Sequence, residues 1–176
     1  NEFEADVVVI NTCAIREHAE MRVLGNVGHL THTKRENPNQ IIAVCGCMVQ
    51  QPHMAEKLKK SYPIVDIVFG PHDLWRFPEL LEKKMGQKKR VYAVDPSDGT
   101  VHEGIPQVRT HGVKAWLSIM YGCNNFCTYC IVPYVRGRER SRQPEDILAE
   151  CRAVIEAGAK EITLLGQNVN SYGKDL

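Results

Sequence analysis

The sequence predicts an α/β protein, in which a parallel sheet covered by helices precedes the opening strand–helix–strand unit of a second α/β domain. Three short β-branched runs alternate with helical stretches in the first half of the chain, and this alternation indicates a parallel sheet. One further strand, helix and strand follow a stretch of turn residues. The chain has 176 residues and a formal net charge of +1, so overall charge does not indicate a nucleic-acid partner.

The first domain is predicted to occupy residues 1–84. Each of its strands is a short apolar run, and each is followed by apolar residues at helical spacing. The predicted order is strand Val7–Thr12, helix 15–33, strand Ile41–Cys45, helix 51–60, strand Val65–Gly70 and a helical stretch 74–84 that Pro78 breaks or starts. Residues 85–112 are rich in Gly, Pro and Asp and predict a linker.

The second domain is predicted to begin at residue 113 and to continue to residue 176. Its strands are Lys114–Met120 and Glu161–Gln167, and the helix between them runs from Gln143 to Gly158. Pro144 suits the first turn of that helix and Gly158 suits its C-cap. The apolar stripe of the helix consists of Ile147, Leu148, Cys151, Val154 and Ile155. This unit fits the opening of a second α/β domain, for which a β/α barrel is one option.

No stretch of the chain is long and apolar enough to cross a membrane, and the polar start is not a signal peptide. The seven cysteines are an odd number, which argues against a secreted disulfide framework and predicts a reducing, cytoplasmic setting. Both ends of the chain look cut, so we expect an interior piece of a longer protein.

Three of the cysteines fall in "MYGCNNFCTYC", a C-x3-C-x2-C array formed by Cys123, Cys127 and Cys130. Soft thiolates select zinc or an iron–sulfur cluster. Three ligands leave one iron of a [4Fe–4S] cluster open to a small molecule, whereas a structural zinc site would need a fourth ligand such as His111. The loop follows a strand, at the end where barrel enzymes place their active sites.

Two more cysteines, Cys13 and Cys47, each follow a predicted strand. If those strands are parallel neighbours, both cysteines emerge at one edge of the sheet and indicate a second site. The alternative is two unrelated buried cysteines. Cys45 is predicted to be buried and structural, although it is a substitute ligand if its strand continues unbroken. Cys151 falls on the apolar stripe of its helix and is predicted to pack in the core.

Four arginines, Arg136, Arg138, Arg140 and Arg142, stand at alternate positions in "VPYVRGRERSR". In an extended chain they would share one face and could grip RNA phosphates or a cofactor carboxylate. The alternative is a solvated loop in which Glu139 partners the arginines.

"GCNNFCTYC" resembles the cluster motif of radical S-adenosylmethionine (radical SAM) enzymes. The resemblance implies that Cys123, Cys127 and Cys130 hold a [4Fe–4S] cluster whose fourth iron is chelated by SAM. It also implies that Tyr129 lies near the adenine of SAM. Gly166 and Gln167 stand where such enzymes place a glycine-rich segment that meets the amino group of SAM.

"NTCAIRE" and "GCMVQ" resemble the second and third cysteine motifs of the methylthiotransferase family, and "PYVRGRERSR" is similar to the segment after its cluster motif. The resemblance implies a methylthiotransferase domain with an auxiliary [4Fe–4S] cluster on three cysteines, two of them Cys13 and Cys47. The first cysteine motif would precede residue 1, so this domain is expected to be incomplete. The full-length protein is expected to carry two clusters.

Within that family the sequence looks most like the branch that methylthiolates C2 of N6-dimethylallyladenosine 37 in tRNA. Sibling branches act on threonylcarbamoyladenosine in tRNA or on a ribosomal-protein aspartate. The competing class is a non-enzymatic zinc-binding RNA module. The resemblance implies tRNA and an electron donor such as flavodoxin or ferredoxin as partners of a monomeric, cytoplasmic enzyme. The piece by itself is expected to be inactive.

Overall fold

The computed structural model describes residues 2–14, 17–96, 100–105 and 112–176 of the chain. They form two compact units, Asn1–Pro96 and Ser97–Leu176, each with a parallel sheet of its own. The predicted α/β class is therefore confirmed. Among the described helices, none combines the length and apolar character that a membrane span requires.

The first unit is a four-stranded parallel sheet whose spatial order follows the chain. Its strands are Val7–Thr12 (β1), Ile41–Gly46 (β2), Ile67–Phe69 (β3) and Val91–Ala93 (β4). Its helices are Glu17–Glu36 (α1), Pro52–Ser61 (α2) and Phe77–Met85 (α3). Proline lies in the first turn of α3, where its missing N–H costs nothing, so Pro78 starts this helix.

Alternate residues of β2 divide the core of the first unit into two layers, as the period-two geometry of a strand requires. Ile42 and Val44 pack with Leu24 of α1 and Leu58 of α2 on one face. On the opposite face lies a second cluster that includes Leu80 of α3; its other buried members are Ala43, Cys45, Ile67, Phe69, Val91 and Ala93. Burial on both faces explains why these strands read as continuous apolar runs.

Strand β4 lies within residues that the sequence predicts to be linker. It pairs with β3 in parallel, with Ile67 opposite Val91 and Phe69 opposite Ala93. The compact unit accordingly extends to Pro96, beyond the predicted boundary at residue 84. A strand of three residues is too short to show a period, so only its pairing reveals it.

A buried carboxylate ties the amino ends of the strands to two helices. Asp66 accepts hydrogen bonds from Lys34 Nζ of α1 at 2.6 Å, Lys84 Nζ of α3 at 3.0 Å and the backbone N–H of Ile42 at 3.0 Å. Burial alone would raise the pKa of Asp66, but the hydrogen bonds from Lys34, Ile42 and Lys84 outweigh it and hold the pKa below 3.8.

The second unit contains the predicted strand–helix–strand element and a short antiparallel ladder. Its strands are Lys114–Ser118 (β5), Met120–Tyr121 (β6), Arg140–Ser141 (β7) and Glu161–Leu165 (β8), and its helices are Val132–Arg136 (α4) and Pro144–Glu156 (α5). β5 and β8 pair directly in parallel, and α5 belongs to the connection between them; β6 pairs with β7 in antiparallel fashion. The β6–β7 ladder has two residues on each side and carries no sequence pattern.

The apolar stripe predicted for α5 is only partly buried. Ile147 and Val154 are buried against the sheet, whereas Leu148 and Ile155 are 52% and 56% exposed. The two-stranded sheet is narrower than the apolar stripe of the helix. Leu148 and Ile155, at the margins of the stripe, are therefore not covered by the described residues. Gly158 adopts a φ of +103° directly after the helix, as expected of a C-terminal cap.

The expectation that the four arginines share one face is wrong. Arg136 ends α4, and Gly137 then turns the chain with a φ of +73°. Arg138 is exposed, whereas Arg142 is 6% exposed. The prediction assumed an extended chain from 136 to 142, and the helix and the left-handed glycine interrupt it.

Arg142 is an internal anchor of the second unit. Its guanidinium donates to both carboxylate oxygens of Glu103 at 2.7 and 2.6 Å, to Glu150 at 2.6 Å and to the Ser118 carbonyl at 2.7 Å. Burial alone would lower the pKa of Arg142, but the hydrogen bonds to Glu103 and Glu150 raise it. This planar, multidentate role is one that lysine cannot fill.

We expect Asp66→Ala to lower the free energy of unfolding of the first unit by about 3 kcal/mol, because two lysines lose a nearly buried partner. The folded-state pKa of Asp66 is depressed, so its stabilisation is complete above the ordinary value of 3.8 and is lost as the pH falls through the lower one. Hydrogen exchange of β2 and β3, measured from pH 6 down to about pH 3, checks this.

The exposed Glu82 on α3 supplies the control, since Glu82→Gln leaves the Asp66 contacts in place. The difference in stability between parent and Asp66→Ala should narrow as the pH falls below 3.8. A difference that stays constant across this range would contradict the assigned ion pairs.

We expect Arg142→Ala to destabilise the second unit by about 3–5 kcal/mol, since Glu103 and Glu150 would face each other without their cation. Arg142→Lys should recover only part of this loss, because an ammonium cannot reach three acceptors in one plane. Amide exchange in β6 and β7 reports the effect, with Arg152→Ala on the exposed side of α5 as the control. Equal protection in Arg142→Ala and Arg152→Ala would rule out the anchor role.

Candidate functional site

The three-cysteine segment, residues 122–130, is here called the cysteine loop, and it leaves β6 just beyond the carboxyl end of β5. Cys123 is 7% exposed, Cys130 is half-buried and Cys127 is exposed. The N–H of Cys130 donates to the carbonyl of Cys127 at 3.0 Å, which closes a turn between these two residues. The location at the end of a parallel strand agrees with the predicted placement.

Gly122 makes the entry to the cysteine loop sterically feasible. Its φ is +77°, and a Cβ there would lie 2.0 Å from the carbonyl oxygen of Arg138. Because no side chain intervenes, the next residue, Cys123, comes close enough to donate its N–H to the Gly137 carbonyl at 3.1 Å. The backbone of the loop therefore packs directly on the segment 137–138.

Hydrogen bonds through four side chains fasten the cysteine loop to its surroundings. Asn124 and Glu139 bind each other reciprocally: the Asn124 N–H donates to Glu139 Oε1 at 3.2 Å and the Glu139 N–H donates to Asn124 Oδ1 at 3.1 Å. Asn168 Nδ2 donates to the same Glu139 oxygen at 2.9 Å. Gln167 Oε1 accepts the N–H of Gly122 at 2.7 Å.

The hydrogen bond from Asn168 holds the pKa of Glu139 below its ordinary value, and the bond from the Asn124 backbone acts in the same direction against partial burial. Glu139 is therefore a carboxylate at neutral pH, and it accepts hydrogen bonds from two segments of the unit. The arginines that the sequence suggested as its partners are not among the hydrogen-bonding partners found for its side chain.

Of the residues predicted to meet SAM, Tyr129 belongs to the cysteine loop, and Gly166 and Gln167 directly follow β8. Tyr129 is 99% exposed, so its ring is available to a ligand. Gln167 reaches the loop through Gly122, whereas Gly166 packs against Met120, whose Cγ would lie 2.6 Å from an added Cβ. Phe126 of the loop and Tyr134 of α4 form an exposed aromatic pair with ring centroids 5.8 Å apart.

The donor set of the cysteine loop fits an iron–sulfur cluster. Its three cysteines are reduced thiols within one short loop, and two of them are accessible. Among the residues that the structure describes, no three Cys, His, Asp or Glu side chains already stand at metal-binding distance, so cluster binding would have to draw the thiols together. His111, the alternative zinc ligand, lies outside the described residues.

Cys13 and Cys47 leave neighbouring parallel strands at the same edge of the first sheet. β1 and β2 remain in register up to Thr12 opposite Gly46, and the N–H of Cys47 donates to the Thr12 carbonyl at 3.2 Å. Pairing thus closes the separation of 34 residues in sequence, as the strand prediction required. Cys13 is exposed, whereas Cys47 is 7% exposed.

The turn into Cys47 follows the same rule as the turn into Cys123. Gly46 has a φ of +98°, and a Cβ there would lie 2.3 Å from the Thr12 carbonyl oxygen. This left-handed glycine ends the regular strand geometry of β2. The rule that side chains two residues apart point to the same face of a sheet therefore does not apply to Cys45 and Cys47. Cys45 packs in the core beneath α3, and burial raises the pKa of its thiol to about 11. Cys45 is therefore a structural residue, as predicted.

Sequence patterns did not single out Asn124, Glu139 or Asn168 as site residues. They are far apart in sequence and belong to no spacing motif. The β6–β7 ladder brings Asn124 to Glu139, and the pairing of β5 with β8 brings Asn168 to the same end of the unit. The one available signal was weak: Asn124 lies inside the cysteine array, and Asn168 directly follows Gln167. Cys151 is half-buried on α5 and packs with the core there, in agreement with its predicted role.

Two known families match the chain, and each match falls within one of the two structural units. Residues 1–70 match a family described as Uncharacterized protein family UPF0004, and residues 117–175 match the Radical SAM superfamily. The first match contains Cys13 and Cys47, and the second contains the whole cysteine loop and Gln167.

Curated relatives match along the whole chain. The chain is 57% identical over 98% of its length to the tRNA-2-methylthio-N(6)-dimethylallyladenosine synthase of Clostridioides difficile, and 56% and 58% identical over its full length to the enzymes of that name from Acetivibrio thermocellus and Caldicellulosiruptor saccharolyticus. It spans 36–37% of the length of these relatives. With both family matches in chain order and this degree of identity, the chain belongs to the radical SAM methylthiotransferase family.

Proposed function

We propose that the protein to which this chain belongs is a tRNA methylthiotransferase that modifies C2 of N6-dimethylallyladenosine 37. The observation that carries the proposal is the cysteine loop at the carboxyl end of β5, in a chain more than half identical to synthases of that name. The sibling substrates, threonylcarbamoyladenosine in tRNA and a ribosomal-protein aspartate, are disfavoured by the names of these relatives. Nucleoside mass spectrometry of tRNA from cells with and without the full-length protein distinguishes the three substrates.

Cys123, Cys127 and Cys130 would hold a [4Fe–4S] cluster, with SAM at the open iron. When bound, the cluster and SAM supply the radical chemistry that an aromatic C–H bond without an acidic proton requires. Cys127 is exposed and Cys130 is half-buried, and the hydrogen-bonded turn between them keeps these two residues close together. The N–H of Cys123 donates to the Gly137 carbonyl. The rest of the loop can therefore close around a cluster while this hydrogen bond stays in place.

Tyr129, Gly166 and Gln167 have separate roles in this proposal. The fully exposed Tyr129 ring would pack against the adenine of SAM. Gln167 has its side-chain oxygen engaged by Gly122, so it supports the rim of the cysteine loop and leaves its amide nitrogen for a ligand. Gly166, packed against Met120, lets the strand end approach that rim.

Cys13 and Cys47 would supply two ligands of an auxiliary [4Fe–4S] cluster that serves as the sulfur source. Their common sheet edge supports this assignment, and the third cysteine would come from a segment beyond the chain described here. Cys45 does not replace it, because its thiol lies in the apolar core under α3.

The partners of the enzyme would be tRNA and a one-electron donor such as flavodoxin or ferredoxin, and we infer that it works as a cytoplasmic monomer. Among the four arginines, Arg138 is the side chain best placed to contact phosphate, since it is exposed. Arg136 and Arg140 are half-buried and linked through the Arg136 carbonyl, to which Arg140 donates at 3.0 Å. The guanidinium of Arg142 is engaged in ion pairs with Glu103 and Glu150, so we do not assign it to phosphate binding.

After anaerobic reconstitution, we expect about four irons and four sulfides per chain, and almost none in the variant with Cys123, Cys127 and Cys130 all changed to Ala. The reason is that only the cysteine loop offers three thiols on one segment. Iron and sulfide analysis with electron paramagnetic resonance of the reduced protein checks this.

Cys151→Ala is the matched control, because it removes a half-buried thiol from the same unit without touching the cysteine loop. About eight irons in the parent, halved in the triple variant, would mean that Cys13 and Cys47 complete a second cluster within this chain. Zinc without iron would refute the radical enzyme and leave a zinc-binding RNA module.

We expect Arg138→Ala to weaken tRNA binding by about threefold to tenfold near 100 mM salt and to reduce the slope of log affinity against log salt by about one. An exposed guanidinium that contacts one phosphate releases about one counterion, so both effects should appear together. Filter binding of unmodified tRNA across a salt series measures them.

Arg152→Ala removes another exposed arginine, on α5, and serves as the control. If the two variants bind tRNA with the same affinity and the same salt slope, Arg138 is not a phosphate contact. Arg142→Ala does not serve this purpose, because its expected unfolding would weaken binding without any contact to RNA.

A further inference from the structure

We propose that Glu139 is the positioning residue of the cysteine loop: its carboxylate joins Asn124 of the loop to Asn168 of the segment after β8, and so keeps Cys123 in place. The proposal rests on the function proposed above, since it concerns how the cluster ligands are held. The hydrogen bonds found for Glu139 among the described residues go to Asn124 and Asn168 and to none of the three cysteines, so its role is indirect.

The geometry of the Glu139 contacts is that of a two-sided clasp. With Asn124 it forms a closed pair in which each residue donates its backbone N–H to the side chain of the other, at 3.2 and 3.1 Å. A closed pair fixes both the position and the direction of the loop backbone, which a single hydrogen bond would not do. Asn124 directly follows Cys123, so the first ligand is fixed at both of its peptide bonds.

The second side of the clasp reaches the end of β8. Asn168 Nδ2 lies 2.9 Å from Glu139 Oε1 and 2.7 Å from the hydroxyl oxygen of Ser171, so the amide bridges the carboxylate and the turn that follows. The neighbouring Gln167 binds Gly122 on the other flank of Cys123. The segment 167–168 thus grips the cysteine loop at two points, one directly and one through Glu139.

This arrangement predicts a local effect when the clasp is removed. In Glu139→Ala, the Asn124 N–H loses its carboxylate acceptor, and Asn168 keeps only the Ser171 hydroxyl. The backbone N–H of residue 139 can still donate to Asn124, and the bond from Cys123 to Gly137 remains. The loop should then open more often and expose the Cys123 thiol, which is 7% exposed in the closed state. A variant that keeps an oxygen acceptor at the same place should preserve the closed loop.

The first test measures alkylation of the individual cysteines by iodoacetamide in the iron-free full chain, read by mass spectrometry. In the parent, exposed Cys127 should react much faster than Cys123. In Glu139→Ala the rate at Cys123 should rise by about fivefold, the change expected when one net hydrogen bond is lost, while Cys151 keeps its parental rate. Glu139→Gln should stay close to the parent, because its amide oxygen can still accept from Asn124 and Asn168.

The second test uses the reconstituted protein and follows iron loss to a chelator, together with the change in the electron paramagnetic resonance signal when SAM is added. Glu139→Ala should lose iron about fivefold faster than the parent and show an altered SAM-dependent signal, with rescue by Glu139→Gln. Glu156→Gln, an exposed glutamate on α5, is the matched control and should resemble the parent throughout.

Parental rates at Cys123 and parental iron retention in Glu139→Ala would overturn the proposal. If Cys123 and Cys151 accelerate together, the substitution has loosened the whole unit, and Asn168→Ala then decides, since it removes one side of the clasp only. A selective rise at Cys123 in Asn168→Ala supports the clasp, and an unchanged rate overturns it. Failure of the parent to take up iron would refute the proposed function alone, because the alkylation test needs no iron.

Discussion

A glycine with a left-handed backbone, placed directly before a cysteine, is the constraint on which both candidate sites depend. Gly46 and Gly122 have φ values of +98° and +77°, and in each case a Cβ would collide with backbone atoms of a neighbouring segment. The cysteine that follows donates its N–H to a carbonyl of that segment, at 3.2 Å for Cys47 and 3.1 Å for Cys123. The Gly-Cys pair therefore fixes the backbone of one cysteine at each candidate site.

Parallel strand pairing gives these turns their location. In the first unit the register of β1 and β2 sends Cys13 and Cys47 to one edge, and in the second unit β5 and β8 send the cysteine loop and Gln167 to one edge. In the first unit both faces of β2 are buried, so the carboxyl ends of the strands are where the chain can present thiols. In the second unit one face of the two-stranded sheet is exposed, with Trp116 at 60% and Leu164 at 48%, yet the cysteine loop again lies at the strand ends.

The sequence predicts those parts of the fold that carry a period or a strong steric signal. The β-branched run Val7–Thr12 matches β1 at both ends. The predicted bounds of β5, α5 and β8 each differ from the observed bounds by two residues or fewer. Strands β4, β6 and β7 escape prediction because two or three residues cannot display alternation.

Side-chain partners are predictable only where they are close in sequence. The thiols of the cysteine loop lie within one motif, whereas Arg142 meets Glu103 from 39 residues away and Asp66 meets Lys34 from 32 residues away. The alternation of the arginines is a real pattern in the sequence, but an extended backbone was the wrong template for it, since Gly137 turns the chain between Arg136 and Arg138.

The main role of the arginine-rich segment is therefore to support the cysteine loop. The proposed contact with RNA is secondary. The Gly137 carbonyl holds Cys123, Glu139 holds Asn124, and Arg142 anchors the ladder behind them. A scaffold that must pack tightly on the loop cannot point every charge at solvent, and this explains why neighbouring arginines differ so much in exposure. It follows from the proposed function that substitutions across this segment would loosen the cysteine loop and reduce the proposed RNA affinity together. Only a residue such as Arg138, exposed but adjacent to the support, can separate the two contributions.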